Sequence, residues 1–144
     1  MSLKLKIKLL SEEARKPTYG SKGAACFDIY TSHDAFILED CHFKLPTGLA
    51  FEIPEGYTML VFPRSGMSTK QGLRLANCVA VIDSDYRGEL FVPLYNDSRT
   101  AQYVKAGDRI AQAMLVKSDQ IDLEEVNELS ETIRGAGGFG STGN

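Results

Sequence analysis

Five stretches of this 144-residue chain hold residue types suited to a charged, planar ligand. In "FPRSGMSTKQG", Arg64, Ser65 and Gly66 follow an apolar run where the chain can turn into a short helix within Gly66–Gln71. Unpaired N–H groups at a helix start, a guanidinium fork and a hydroxyl together make a phosphate site. The same residues equally suit a helix capped by Ser65 whose arginine meets a surface carboxylate. In "NCVAVIDSDYRGEL", Asp83 closes an apolar run, and the turn Ser84–Gly88 leads straight into the next one, a pattern that predicts a hairpin with carboxylates, Tyr86 and Arg87 at its tip. Following "VAVI", the Asp83 carboxylate is expected at a low-dielectric edge where a general base can be tuned; turn capping is its other use.

Two single residues and the C-terminus complete the set. Asp28 interrupts the apolar "AACFDIYT", either facing a metal's hydration shell or pointing to solvent, and Gln112 in "GDRIAQAMLV" needs amide partners from a ligand or from backbone. The end, "RGAGGFGSTG", packs five glycines, Arg134, Phe139, Ser141 and Thr142 into ten residues. Glycine-rich ends stay slack by themselves, but a guanidinium, a ring and exposed N–H groups can close on a nucleotide. By itself the stretch reads either as a flexible tail or as such a clamp. His33 and His42 have no Cys, Asp or Ser partner at a suggestive spacing, and no chemistry is assigned to them.

These residues are positioned by short strands. "LKLKIKLL" alternates Leu3, Leu5, Ile7 and Leu9 with Lys4, Lys6 and Lys8, so the lysines share one solvated face. Further strands are expected at Ala25–Tyr30, Phe36–Leu38, Phe43–Phe51, Tyr57–Pro63, Cys78–Ile82, Glu89–Tyr95 and Arg109–Val116, with turn signals between them at Pro46–Gly48, Pro54–Gly56, Arg87–Gly88, Asn96–Ser98 and Ala106–Asp108. Many short strands and little helix point to an all-β sandwich, jelly roll or barrel. "DQIDLEEVNELSETI" suits a last strand at Asp122–Val126 followed by an extended arm, or an amphipathic helix; the strand is preferred.

At 43% hydrophobic residues the chain has enough apolar content for one core, and it is expected to form one domain. A net charge of −3 gives no field for nucleic acid or an anionic membrane, so basic groups must be placed rather than abundant. Cys26, Cys41 and Cys78 form no CxxC pair, which argues against disulfides and zinc. No membrane-length apolar run is present and lysines break the N-terminal one, so an intracellular, cytoplasmic protein is expected.

Taken in order, "AACFDIYT", "PRSGMSTKQG", "NCVAVIDSDYRG", "GDRIAQAML" and "RGAGGFGSTG" resemble the five motifs of the trimeric deoxyuridine triphosphatases (dUTPases), from about Ala24 to Gly143. The resemblance implies a jelly-roll-like (β-clip) domain over residues 1–133 and a flexible nucleotide-closing arm over 134–144. It also implies a homotrimer with active sites shared between subunits. The reaction is Mg²⁺-assisted hydrolysis of dUTP to dUMP and pyrophosphate, limiting uracil in DNA and supplying dUMP for thymidylate synthesis. Under this resemblance Asp83 activates the water attacking the α-phosphorus, and Tyr86 packs beneath the deoxyribose and excludes a 2′-hydroxyl. Uracil lies between Val81, Ile82 and the return strand near Phe91, with Asn77 reading its edge. Arg64, Ser65, Gly66 and Gln112 match phosphate contacts, and Asp28 matches a position acting on Mg²⁺ through water. Arg134 would hold the γ-phosphate, Phe139 would cover uracil, and Gly140, Ser141 and Thr142 would close on the phosphates.

Two positions depart from the family pattern: Cys26 and Ala80 stand where glycine is common. The nearest enzymatic alternative is a dCTP deaminase, which needs a different acid-base residue in the pocket; "VIDSDYRG" and "GGFGSTG" fit a dUTPase better. A catalytically idle nucleotide- or protein-binding scaffold is the alternative from another class, and the complete set of motifs argues against it.

Overall fold

The computed structural model describes residues 3–140. Eleven strands and one helix follow in the order β1 (Lys6–Leu9), β2 (Thr18–Tyr19), β3 (Phe27–Tyr30), β4 (Ala35–Ile37), β5 (His42–Glu52), β6 (Tyr57–Phe62), α1 (Ser65–Gln71), β7 (Leu73–Leu75), β8 (Ala80–Ile82), β9 (Glu89–Asn96), β10 (Gln102–Val104) and β11 (Arg109–Lys117). They form a four-stranded sheet β1-β5-β9-β7, a five-stranded sheet β2-β3-β11-β6-β8, and the pair β10-β4. Every pairing is antiparallel. The two larger sheets contribute to one apolar cluster, with Leu45, Leu49, Val92 and Leu94 from one and Ile29, Met59, Val61 and Ala113 from the other. This is an all-β, jelly-roll-like single domain with little helix.

Strand β9 shows how the sequence specifies this packing. In "ELFVPLYN" the inward residues Leu90, Val92, Leu94 and Asn96 are buried, and the alternate ones are half-buried, which is the period-two pattern of a strand with one face on a core. Its buried polar member is fully satisfied: the Asn96 amide donates to the Ile37 and Thr100 carbonyls, while its oxygen accepts from the Ser98 backbone and hydroxyl.

Four local expectations change. Helix α1 begins at Ser65, and its N-cap is Arg64, in extended conformation with no side-chain cap bond. Ser65 is the first helical residue and its carbonyl accepts from the Thr69 hydroxyl. β8 pairs with β6, whereas β9 pairs with β5 and β7, so residues 83–88 connect two sheets and do not turn a ladder hairpin. β7 and β10, three residues each, were too short for a periodic signal. No strand forms at Asp122–Val126; residues 118–140 have neither helix nor strand. Within one chain that segment has no ladder partner, and Ile121 and Leu123 stand 76% and 89% exposed.

The irregularity that matters for the site is in β5. Its register with β9 runs Pro46↔Phe91 and resumes at Ala50↔Glu89, so extra residues bulge out around Thr47 and Gly48. Gly48 adopts φ 67°, and a Cβ there would lie 2.7 Å from the Cβ of Ala14, so the bend requires glycine on both counts. The buried Thr47 hydroxyl donates to the Leu90 carbonyl at 2.6 Å, and the Gly48 N–H donates to Glu89 Oε1 at 2.8 Å. The bulge thus anchors the first residues of β9, where the chain emerges from the 83–88 connection. Thr47→Val keeps the shape and leaves the Leu90 carbonyl buried without its donor; unfolding free energy is expected to fall by about 1–3 kcal/mol, read from the urea midpoint at unchanged m-value.

Candidate active site

The first cluster is built at one end of the five-stranded sheet. β3 carries Asp28, β11 starts at Arg109, and β6 runs out through Pro63 to Arg64 at the head of α1. Asp28 is 8% exposed, and each of its oxygens takes a guanidinium: Arg64 Nε at 3.0 Å on Oδ1 and Arg109 at 3.2 Å on Oδ2. Arg64 also donates to the Arg109 carbonyl at 3.3 Å. The expected solvent-facing strand aspartate is therefore absent; Asp28 is a buried carboxylate stabilised by two cations. The Gln112 amide donates to the Pro63 carbonyl at 3.0 Å, so backbone supplies its partner. Ser65 and Gly66 are exposed beside Arg64. A cavity of about 210 Å³ opens here, lined by Arg64, Met67, Gln71, Asp108 and Arg109. Burial and then Asp28 push the neighbouring Cys26 thiol above its usual range, keeping it neutral.

The second cluster surrounds the 83–88 connection. Val81, Ile82, Asp83, Tyr86 and Phe91 line a cavity of about 310 Å³ with Lys44, Glu89 and Leu90. Its walls are ring and aliphatic surface, and Lys44, its one lining cation, sits 4.2 Å over the Phe91 ring. The Thr58 hydroxyl holds the Ile82 carbonyl at 2.7 Å, and the Tyr86 N–H turns back to the Asp83 carbonyl at 3.2 Å. Asp83 is not at a low-dielectric edge: it is exposed, beside a Val81 that is 61% exposed. Among the described residues its carboxylate accepts no hydrogen bond, leaving both oxygens available. Asn77 is exposed just before β8, its carbonyl accepting the Val79 N–H at 2.7 Å. A second cavity of about 660 Å³ shares Val81 and Asp83 but is rimmed by Glu55, Asp85 and Asp119, with no cation among its lining residues. Four carboxylates repel a polyphosphate, so its larger volume does not make it the anion site.

The arm makes local turns. Arg134 Nε donates to the Gly137 carbonyl at 2.8 Å, Gly137 N–H returns to Arg134, and Phe139 and Gly140 are exposed. Ser141 and Thr142 lie outside the described residues.

The clusters do not meet within one chain. Ile82 pairs with Met59 near the start of β6, whereas Arg64 follows its end. Asp83 and Arg64 are therefore separated along β6 by about six residues, or about 20 Å at strand rise. Arg109 and Lys44 are site residues that residue-by-residue reading missed. Arg109 lies inside the quoted "GDRIAQ" stretch and was legible as a cation entering the strand beside β3. Lys44 reaches Phe91 only through the β5–β9 register, for which the sequence has no local signal.

An all-β nucleotide-hydrolase architecture of this kind, with an arginine-lined edge and a separate flat pocket beside a free carboxylate, has clear relatives. The dUTPase family model matches residues 12–143. A deoxyuridine 5′-triphosphate nucleotidohydrolase of Nautilia profundicola is 49% identical over 141 residues, covering 98% of this chain and 99% of the relative. Among solved structures, a variant dUTPase of Staphylococcus bacteriophage 80alpha with dUpNHpp has a TM-score of 0.92 at 29% identity, over 99% of this chain and 100% of that one. The dUTPase variant from phage phi11 of S. aureus, whose structure shows coordination of a structural Mg(II) ion, has a TM-score of 0.83 at 26% identity, over 90% and 100%. This chain belongs to the dUTPase family.

Asp28→Asn keeps the side-chain shape and removes the charge that both guanidiniums face. Stability is expected to fall by about 1–3 kcal/mol, with Arg64→Met costing measurably less in the Asp28→Asn background than alone. A double-mutant cycle in urea checks the coupling.

Proposed function

We propose that this chain, a dUTP diphosphatase of the dUTPase family, hydrolyses dUTP to dUMP and pyrophosphate in a site shared between copies in a homotrimer. The observation that carries the shared site is the separation of Asp83 from Arg64 by the length of β6: a pocket and base lie at one end, and arginines at the other. In this reading both groups act on one triphosphate, and a separation of about 20 Å along β6 supports the Asp83 end of one copy meeting the Arg64 end of another.

In this reading the base enters the cavity between Val81, Ile82 and Phe91, with Asn77 at its edge and Tyr86 under the sugar. Asp83 accepts a proton from the attacking water as its oxygen bonds to the α-phosphorus; the bond from that phosphorus to the bridging oxygen breaks, and pyrophosphate leaves. Arg64, Ser65, Gly66 and Gln112 orient phosphate oxygens. From the arm, Arg134 holds the γ-phosphate, Phe139 covers the base, and Gly140, Ser141 and Thr142 exclude bulk water on closing.

Mg²⁺ is the proposed cofactor. Among the described residues no three His, Cys, Asp or Glu side chains converge to hold a metal. Each Asp28 oxygen has lone-pair capacity beyond its guanidinium, and the side chain keeps a 12% exposed edge. That suits contact through a hydration shell, as expected for a cation carried mainly by phosphates and waters. When bound, Mg²⁺ supplies charge neutralisation on the phosphates. No helix among the described residues is long and apolar enough to cross a membrane; a cytoplasmic location is part of the proposal.

Asp83→Asn is expected to keep the fold and lower pyrophosphate release from dUTP by roughly 10²-fold or more, the scale of a lost general base. Mixing Asp83→Asn chains with Arg64→Ala chains, each nearly inactive alone, is expected to restore activity, because some sites then receive an intact residue from each parent. Mixed trimers confirmed by native mass spectrometry that stay as inactive as either parent overturn the shared site.

A further inference from the structure

Gly88 closes the connection between β8 and β9, and its backbone does not account for its being glycine. It is absent from the positive-φ glycines, which are Gly48, Gly56, Gly72, Gly107, Gly135 and Gly140, so an L-residue can adopt its conformation. The obstacle is a side chain. A Cβ on Gly88 would lie 2.4 Å from the Tyr86 hydroxyl oxygen, 2.6 Å from its Cζ and 3.0 Å from its Cε2. The Tyr86 ring lies directly on the Gly88 backbone.

The ring is held there. Its hydroxyl donates to the Glu89 carbonyl at 2.9 Å, one residue beyond Gly88. The Tyr86 backbone is also pinned: its N–H reaches the Asp83 carbonyl, and Arg87 donates to the Ser84 and Tyr86 carbonyls at 2.6 and 3.2 Å. With its backbone held, Tyr86 can answer a new methyl group at Gly88 only by turning its side chain, which moves the ring away from its present place. It remains 45% exposed, with the rest of its surface committed to the loop and the cavity shared with Asp83 and Phe91.

We infer that Gly88 is the positioning residue for sugar selection: lacking a Cβ, it lets Tyr86 lie flat on the loop at the height that leaves no room for a 2′-hydroxyl. This rests on the proposed placement of the sugar over Tyr86. A methyl at Gly88 lifts or tilts the ring, breaks the bond to Glu89 and reshapes the floor of the pocket. Tyr86 makes the contact with the sugar; Gly88 acts only through it.

The test is a cycle of Gly88→Ala, Tyr86→Ala and the double variant, reading the ratio of kcat/KM for dUTP to that for UTP. Gly88→Ala is expected to lower the ratio about tenfold, the low end of what one misplaced steric group costs in discrimination. In the Tyr86→Ala background the same change is expected to alter it by less than about twofold, since the partner is gone. An unchanged ratio in the single variant, or an undiminished drop in the Tyr86→Ala background, overturns the inference. A readout without substrate accompanies it: with ¹³C-labelled tyrosine, Gly88→Ala is expected to shift the Tyr86 ring resonances while leaving those of Tyr57 and Tyr95 in place, and an unmoved Tyr86 signal overturns the packing argument. A parent enzyme that fails to release pyrophosphate from dUTP defeats the proposed function instead, and the ring resonances still decide the packing.

Discussion

Asp28 is the group on which the arginine-lined end of the five-stranded sheet depends. A carboxylate this buried is costly unless paired and hydrogen-bonded, and it meets two guanidiniums that arrive from the end of β6 and the start of β11. The sheet order β3-β11-β6 brings them there, since β11 pairs with both neighbours. Asp108 also lines this edge, so the two guanidiniums face two carboxylates in all, and what the edge offers an anion is placed donors rather than net charge. Each guanidinium has five donors in a fixed plane, and Arg64 uses Nε on Asp28 and one terminal nitrogen on the Arg109 carbonyl. Asp28 thus orients Arg64 without exhausting it. Donors remain free for an incoming anion, in a chain whose overall charge is −3.

The other end of β6 has the opposite character. Around Asp83 lie Asp85, Glu55 and Asp119, with Lys44 as a cation on the Phe91 side. Such an acidic end does not gather a triphosphate by itself, and among the described residues the Asp83 carboxylate accepts no hydrogen bond. The separation along β6 keeps the Asp83 carboxylate out of reach of Arg64 and Arg109 within one chain. In the proposed homotrimer the two ends are joined only where copies meet. Ile121, Leu123 and Leu129, in the irregular segment after β11, are apolar and exposed; in the proposed homotrimer a neighbouring copy is the surface that covers them.

Much of this was legible because period two is hard to counterfeit. β9 alternates throughout, and β5, β6 and β11 fall within one or two residues of their sequence-based bounds. What stayed hidden depended on partners distant in sequence. β8 and β9 look like a hairpin locally because a turn-rich loop links two apolar runs; only competition for ladder partners sends β8 to β6 and β9 to β5. Asp28 reads as an ordinary strand aspartate until Arg64 and Arg109, 36 and 81 residues away, are placed beside it. The Asp122–Val126 segment has strand-like composition, but a strand exists only with a neighbour. Arg64, Ser65 and Gly66 after an apolar run suited a capped helix as well as a phosphate site, and it was the order of all five motifs that set them apart.

The sheet change at residues 83–88 also restrains so small a loop from both ends. A hairpin tip is held by one ladder at its base and can bend as a unit. Here the entering strand is fixed to β6, with Thr58 on the Ile82 carbonyl, and the departing strand is fixed to the β5 bulge through Thr47 and Gly48. The loop is stretched between two sheets that share one core, so its ends cannot move together without disturbing that core. Hydrogen bonds from Tyr86 and Arg87 then cross-link the interior of the loop. Distortion of the loop falls first on these bonds, since both of its ends are anchored. The buried Thr47 hydroxyl, which faces no ligand, is in this sense as much a part of the site as the exposed Asp83.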